Sequence, residues 1–347
     1  MARREEMTPL ERVLAAAELR EADRVPVLPS TKAWGIKNAG YKFAECYFDV
    51  DLYVDTQIRC QRELGDDGVY DIFSLNIEED LGAQVIHRED DPPNISEPLL
   101  GSLDDLNKLV PYDAKTGACA LRAHEMIRKL KDRTEGRVAV LGMVHSPFEI
   151  AATLYGAKNL YTDFIRNPSM ARELMDFCVP MATSYAEALV EAGADIVRTV
   201  NPSANTSCIS RRHYQEFAFP PMQKLFARLK ARGIKILFHI CGDWRDRLDL
   251  VCELGADILH VDRIDLARFK QEYGREVCVM GNVRTVETML YGTPADVERE
   301  ALDCIEQAAQ GGGFILSADC LVPRDTPKEN LQALVDVAIT SEYPRQF

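Results

Sequence analysis

Residues 211–241 read RRHYQEFAFPPMQKLFARLKARGIKILFHIC, and this stretch contains the unit from which the chain is built. Apolar residues recur every three or four positions over 211–232, which predicts an amphipathic helix. Gly233 follows as a helix C-cap, and the apolar run 235–240 then predicts a strand buried on both faces. The repeated unit is therefore helix, glycine, strand.

Short apolar runs rich in β-branched residues alternate with longer helical patterns along the whole chain. The predicted strands are 24–28, 69–73, 137–141, 195–200, 235–240, 257–261, 277–280 and 314–317. Eight strands with helices between them predict an α/β fold of the (β/α)8 TIM-barrel type. A doubly wound sheet is the alternative, but no G-x-G-x-x-G motif follows any strand.

Four further helical segments lie outside the stretch 211–241. They are predicted at 9–20, 168–192, 293–310 and 326–339. The first is an N-terminal helical extension, and Pro180 is expected to kink the second. Thr293 and Thr326 each precede a proline, as is typical of an N-cap. The long interval after Phe73 should cross the barrel mouth. No linker divides the chain, so residues 1–347 are expected to form a single domain.

The charge balance excludes several classes of partner. The chain has a net charge of −14 and is 46% apolar. We therefore expect no nucleic acid and no membrane partner, since both favour a positive surface. No apolar run approaches the roughly 20 residues that span a bilayer. The start MARREEMTPLERVL lacks the apolar segment of a signal peptide. Ten scattered cysteines then indicate reduced thiols in a cytoplasmic protein.

Three residues at predicted strand ends form a candidate metal site. His239 and Cys241 lie two positions apart, so their side chains should leave the fifth strand on the same side. Cys320 follows the eighth strand, and barrel active sites form where strands end. Imidazole and thiolate are zinc ligands, and three protein ligands leave a fourth position open, as in catalytic sites. We therefore predict catalytic zinc. His260, inside the sixth predicted strand, should be a core residue.

Other polar residues near the predicted mouth give weaker signals. Asn201, Asn282 and His145 are predicted to contact substrate. The alternative is loop capping for the two asparagines and a turn position for the histidine. Glu78 and Glu79 could supply a fourth zinc ligand, or they could be solvated carboxylates at a helix start.

Longer motifs carry a resemblance to a known family. HSPFEIAATLYG at 145–156, FHICGD at 238–243, VMGNVRTVETMLYGTPADVERE at 279–300 and GGGFILSADCLVPRDTPKENLQALV at 311–335 are the matching segments. The chain resembles the uroporphyrinogen decarboxylase superfamily, and specifically its cobalamin-linked methyltransferase branch.

The resemblance implies a zinc site at His239, Cys241 and Cys320. It also implies methyl transfer between cobalamin and a small molecule, either a thiol acceptor or a methylated donor such as a methyl ether or methylamine. The chain has no D-x-H-x-x-G motif, so the cobalamin should arrive on a separate corrinoid protein.

Departures from the decarboxylases weigh against their reaction. Those enzymes carry an arginine-rich loop after the first strand, but LPSTKAWGIKNAG at 28–40 has no arginine. Leu75 stands where they have an aspartate. A carboxylate-rich tetrapyrrole would therefore bind poorly to this acidic chain. A decarboxylase-like lyase and a non-enzymatic barrel that binds a corrinoid or a partner protein are the alternatives to a methyltransferase.

Overall fold

A curled parallel sheet forms the centre of the molecule. The computed structural model describes residues 6–72 and 74–344; Phe73, the predicted end of the second strand, lies outside the described residues. Seven described strands pair in parallel in the order β1-β4-β5-β6-β7-β8-β9. They are β1 Gly68–Tyr70, β4 Ala139–His145, β5 Ile196–Val200, β6 Lys235–Ile240, β7 Ile258–Val261, β8 Cys278–Val283 and β9 Phe314–Ala318.

The segment predicted as the first strand, 24–28, is not a regular strand. Its Leu28 N–H donates to the carbonyl of Leu316 in β9, at 2.9 Å. On the other side, the Asp67 N–H donates to the carbonyl of Val27, also at 2.9 Å. The segment thus joins β9 through an isolated bridge between Val27 and Leu316, and it reaches the start of β1 through a single hydrogen bond. Pro26 lacks the N–H that a full ladder would need, so the sheet has seven strands among the described residues where eight were predicted.

An N-terminal helix, α1 (Pro9–Ala17), packs into the sheet and does not extend from it. Its Leu10 N–H donates to the carbonyl of Arg137, just before β4, at 2.9 Å. The helix therefore covers the end of the sheet where the strands begin, and their carboxyl ends stay accessible. It is shorter than the predicted 9–20 because Leu19 has a φ of +60°, which no α-helix continues through. The helix contributes Val13, Ala16 and Ala17 to a cluster with Leu28, Tyr70, Leu141, Ile196, Leu237, Ile258, Met280 and Ile315.

Helices cover the outer face of the sheet. After α1, the α-helices are α2 Lys32–Asn38, α3 Phe43–Phe48, α4 Val50–Leu64, α5 Asn76–Asp80, α6 Ala118–Arg133, α7 Pro147–Tyr155, α8 Ala157–Arg166, α9 Pro168–Glu191, α10 Arg211–His213, α11 Phe219–Ala231, α12 Leu248–Glu253, α13 Leu266–Tyr273, α14 Pro294–Ala308 and α15 Lys328–Thr340. Short 3₁₀ turns lie at Leu103–Lys108 and Pro202–Ala204, and π-helical turns lie at Tyr214–Ala218 and Thr285–Leu290.

The predicted helix ends are confirmed in part. Thr293 caps α14 with its side chain, as predicted. Thr326 does not cap α15, because the capping position is one residue later, at Pro327, which has no side-chain acceptor. Pro180 lies inside the continuous helix α9. The predicted helix 211–232 is interrupted by the π turn Tyr214–Ala218, beside prolines that cannot donate to the preceding turn.

The interval between β1 and β4 contains a small antiparallel hairpin of its own. Its strands are β2 (Val85–Ile86) and β3 (Asn94–Ile95). Among the described residues, no helix is both long and apolar enough to cross a bilayer.

A buried ion network fastens α1 to the sheet. The Arg12 guanidinium donates to the Asp67 carboxylate at 2.6 Å, and the Arg24 guanidinium donates to the same carboxylate at 2.8 Å. The Val27 N–H also donates to Asp67, at 2.8 Å. Asp67 is fully buried. One carboxylate therefore holds the helix, the bridging segment and the start of β1 together.

Removing this carboxylate should destabilise the fold strongly. Asp67→Ala leaves two arginines buried without their shared partner, which typically costs about 3–5 kcal/mol. Denaturation in urea should show a lower midpoint for this variant. Asp176→Ala, which removes an exposed partner of Lys224, is the control and should leave the midpoint unchanged. Equal midpoints for Asp67→Ala and wild type would contradict a role for the network.

Candidate metal centre

The three side chains predicted from the sequence as metal ligands lie together at the carboxyl ends of β6 and β9. His239 is the second-last residue of β6, and Cys241 directly follows that strand. Cys320 lies two residues after the end of β9. In the parallel register, His239 lies between Val200 of β5 and His260 of β7. Cys241 and Cys320, which are 79 positions apart in the sequence, are thus brought to one edge of the sheet.

Two of the three distances between the candidate ligand atoms match a tetrahedral zinc site. The Cys320 Sγ lies 3.5 Å from the His239 Nε2 and 3.8 Å from the Cys241 Sγ. All three ligand atoms lie within 4.8 Å of one another. Zinc bonds of about 2.3 Å to sulfur and about 2.0 Å to nitrogen, at tetrahedral angles, separate such ligands by about 3.5–3.8 Å. The residues present therefore fit zinc.

The protonation of the three side chains also suits a metal. Burial, with the nearby His260 and Arg198, lowers the pKa of His239 well below its usual value. The imidazole is therefore neutral and can offer a lone pair. The hydrogen bond between the two thiols lowers the pKa of Cys320 and raises the pKa of Cys241. The Cys320 thiolate therefore forms more easily than that of a free cysteine, and metal binding would release the second proton.

Neighbouring main-chain contacts hold the Cys241 loop in place. The Trp244 indole N–H donates to the Cys241 carbonyl at 2.9 Å, and the Trp244 side chain is fully buried. The Gly242 N–H donates to the Asp262 carboxylate at 2.9 Å. Gly242 has a φ of +88°, and a Cβ there would lie 2.9 Å from the Asn205 amide nitrogen. The loop geometry that presents Cys241 therefore requires glycine at the next position.

His260 supports the centre from β7. Its Nε2 lies 2.8 Å from the Ala318 carbonyl, and its ring centroid lies 4.3 Å from that of His239. The side chain is fully buried, as the sequence predicted. Burial lowers the pKa of His260 to about 3, so the ring stays neutral.

A cleft of about 940 Å³ opens beside the two thiols. Cys241 and Cys320 line one wall, and the other walls come from the ends of β7 and β8 and from α14. Small molecules can therefore reach the thiols from this side.

Metal loading should depend on all three side chains. We expect about one zinc per chain in the wild type, and large losses in His239→Ala, Cys241→Ala and Cys320→Ala, because each removes one of three ligands. Elemental analysis of the purified proteins measures this. Cys252→Ala, in α12 and outside the cluster, should load like the wild type. Full zinc in Cys241→Ala together with Cys320→Ala would refute the assignment.

The three predicted substrate contacts have different surroundings. Asn282 is within β8, and its amide donates to the carbonyls of Asp262 and Ile264 at 2.7 and 2.8 Å. This favours the loop-capping alternative, although Asn282 also lines the cleft. Asn201 follows β5, is fully buried, and has no hydrogen-bond partner for either amide atom among the described residues. Contact of these asparagines with substrate stays a prediction.

His145 is the last residue of β4, and its partner is a carboxylate. Its Nδ1 lies 3.1 Å from the Glu78 Oε1, and both side chains are buried. His145 also lines a second cleft, of about 370 Å³, with Glu149 and the loop 93–98. The solvated alternative is therefore wrong for Glu78. Glu79 accepts a hydrogen bond from the Tyr47 hydroxyl at 2.9 Å. The described metal-binding group includes neither glutamate.

The ion pair with Glu78 should favour the protonated form of His145 by raising its pKa. Burial by itself lowers the pKa of His145, but Glu78 outweighs it and the pKa is raised above its usual value. The pair therefore stabilises the fold fully below about pH 6.5, and this stabilisation is lost as pH rises through the raised pKa.

Glu78→Gln should reverse the sign of this shift. Burial then remains without the compensating charge, so the pKa of His145 should fall below that of an exposed histidine. NMR titration of the histidine ring protons measures it, with His145→Gln to assign the resonance. Glu79→Gln is the matched control and should leave the titration unchanged. An unchanged titration in Glu78→Gln would contradict the pairing.

Sequence reasoning missed a group of buried charges on the inner face of the sheet. Arg198 lies in the middle of β5 and is 2% exposed. The Lys32 ammonium donates to the Asp71 carboxylate at 3.1 Å, and both side chains are buried. The available signal was the arginine inside the apolar run IVRTV, since a strand buried on both faces rarely carries an unpaired charge.

Similarity to known proteins agrees with this geometry. A family model described as "Uroporphyrinogen decarboxylase (URO-D)" matches residues 8–340. The chain belongs to the URO-D family. The resemblance drawn from the sequence is therefore confirmed.

Two similar relatives come from Methanosarcina mazei. "Methylcobamide:CoM methyltransferase MtbA" is 26% identical and covers 97% of this chain and 99% of its own length. "Methylated-thiol--coenzyme M methyltransferase" is 27% identical, and the match covers 98% of this chain and 91% of that protein's length. A solved structure described as "methyltransferase from Methanosarcina mazei" has a TM-score of 0.83 at 22% identity, covering 96% of this chain and 98% of that one. This URO-D chain therefore has the fold of that methyltransferase.

Proposed function

We propose that this URO-D family chain is a zinc-dependent methyltransferase. It moves a methyl group between a corrinoid, held by a separate protein, and a small molecule that is a thiol acceptor or a methylated donor. The observation that carries the proposal is the zinc-like spacing of His239, Cys241 and Cys320. The names of the similar relatives, which include methylcobamide, a methylated thiol and coenzyme M, support it.

The chemistry follows from the ligand set. Zinc bound there would lower the pKa of a thiol in its open position, or would polarise the oxygen of a methyl ether. His239 supplies a neutral nitrogen, and the thiolates of Cys241 and Cys320 offset the charge of a divalent ion. A thiol substrate bound at such a centre would lose its proton and remain nucleophilic at neutral pH.

The surrounding fold determines from which side a substrate can reach the candidate site. Helix α1 covers the end of the sheet where the strands begin, so substrates enter from the other end. The cleft of about 940 Å³ beside Cys241 and Cys320 offers space for a small molecule and for the approach of a corrinoid. Trp244 and Asp262 hold the Cys241 loop, so the ligand geometry is set before the substrate arrives.

Methyl transfer can be followed by colour, because methylcobalamin and its demethylated forms absorb differently. The zinc-loaded protein is mixed with methylcobalamin and a panel of thiols, and the reverse reaction uses cob(I)alamin and methylated donors. We expect turnover that is lost on chelation, restored by added zinc, and absent from His239→Ala, because the metal activates the sulfur or oxygen.

The control is Cys252→Ala, which should turn over like the wild type. Turnover that survives complete removal of zinc would contradict the mechanism. Conversion of uroporphyrinogen to coproporphyrinogen by the same preparation would contradict the assignment as a methyltransferase.

A further inference from the structure

The two cysteines of the candidate metal centre are in contact with each other. The Cys241 Sγ and the Cys320 Sγ lie 3.8 Å apart, although the residues are 79 positions apart in the sequence. Among residues 6–72 and 74–344, no hydrogen bond joins any other two cysteines. The fold thus brings this one described pair of thiols close enough to react with each other.

Small molecules can reach both thiols. Cys241 and Cys320 are partly exposed and line the cleft of about 940 Å³, whereas six of the other cysteines are buried. Cys304 lines the same cleft, but it is 4% exposed and its Sγ lies 3.8 Å from the Asn282 Oδ1. A small oxidant that enters the cleft therefore has better access to Cys241 and Cys320 than to Cys304.

A disulfide between the two cysteines requires only a small displacement. The sulfur atoms of a disulfide lie about 2.05 Å apart, so these two sulfurs would have to approach by roughly 1.8 Å. Hydrogen bonds of Gly242 and Trp244 hold the Cys241 loop, so most of the movement falls to Cys320. Cys320 lies beyond the end of β9, and rotation of its side chain breaks no strand pairing.

We propose that Cys241 and Cys320 are a site of reversible oxidation, at which a peroxide converts the two thiols to a disulfide whenever no metal is bound. One thiol first takes an oxygen from hydrogen peroxide, which gives a sulfenic acid and one water. The second thiol then attacks that sulfur, so the S–S bond forms and the S–O bond breaks. The hydroxyl leaves with the thiol proton as a second water. The two sulfurs together lose two electrons, and these reduce the peroxide.

The disulfide and the metal exclude each other. Zinc needs both sulfurs as thiolates, which a disulfide does not provide. Conversely, bound zinc engages a lone pair of each sulfur and holds the two sulfurs apart, so it should protect them. A dithiol reductant restores both thiols by exchange. Oxidation would thus switch off the metal centre reversibly. This regulatory consequence rests on the proposed function, but the formation of the disulfide does not.

The test follows the oxidation of the full chain by mass spectrometry. The reduced, metal-free protein is treated with a small excess of hydrogen peroxide. We expect its mass to fall by two hydrogens, and peptide mapping should show Cys241 linked to Cys320. The zinc-loaded protein should react about ten-fold more slowly, because its sulfurs are bonded to the metal. Dithiothreitol should return the original mass and the capacity to bind zinc.

Variants identify the two partners. Cys241→Ser and Cys320→Ser should each fail to form the intramolecular disulfide and should instead accumulate a sulfenic acid that dimedone traps. The matched control is Cys252→Ala, which removes another partly exposed thiol and should oxidise like the wild type. A disulfide to Cys304, a wild type that forms no disulfide, or equal rates with and without zinc would overturn the proposal.

These measurements are independent of methyl transfer. A link between Cys241 and Cys320 that forms and is reduced again would support the oxidation site even if no methyl donor or acceptor reacted. Conversely, zinc-dependent methyl transfer by a protein whose two thiols resist peroxide without metal would uphold the proposed function and overturn this inference.

Discussion

The candidate centre depends on the register between neighbouring parallel strands. Side chains alternate between the two faces of a strand, so a shift of one residue in β6 would turn His239 and Cys241 to the outer face together. The pairing of Val200 with His239, and of His239 with His260, fixes that register from both sides. Cys320 lies next to these two residues because β9 ends at the same edge of the sheet. Three ligands from two strand ends become one site through main-chain hydrogen bonds.

The two ends of the sheet differ: one is closed and stabilises the fold, and the other is accessible. Helix α1 and the network of Arg12, Arg24 and Asp67 close the end where the strands begin, and this end is built for stability. At the other end, polar side chains are buried, and the Asn201 amide has no hydrogen-bond partner among the described residues. Buried polar groups without partners oppose folding. A bound small molecule with complementary groups would supply the missing partner.

The sequence predicts most of the fold because the buried strands are short apolar runs that follow a helix and a glycine. The prediction for 235–240 matches β6, and that for 195–200 differs from β5 by one residue. The segment 24–28 has the same apolar pattern, but Pro26 limits its hydrogen bonding, so it bridges the sheet edges without forming a strand. Cap positions depend on backbone geometry, which explains why Thr293 caps a helix and Thr326 does not.

The site was predictable where residue chemistry is distinctive and less so where it depends on distant neighbours. His239, Cys241 and Cys320 stand out because imidazole and thiols at strand ends suggest a metal. Glu78 looked solvated because its partner, His145, lies 67 residues away. Arg198 was missed although an arginine inside the apolar run IVRTV was a visible signal.

The most direct test of the central claim is X-ray absorption at the zinc edge of the metal-loaded protein. We expect two sulfur ligands at about 2.3 Å and one imidazole nitrogen at about 2.0 Å, with a light atom completing the site. Addition of a thiol that binds should replace the light atom with a third sulfur. A shell of four sulfurs before any thiol is added, or a shell without sulfur, would contradict the account.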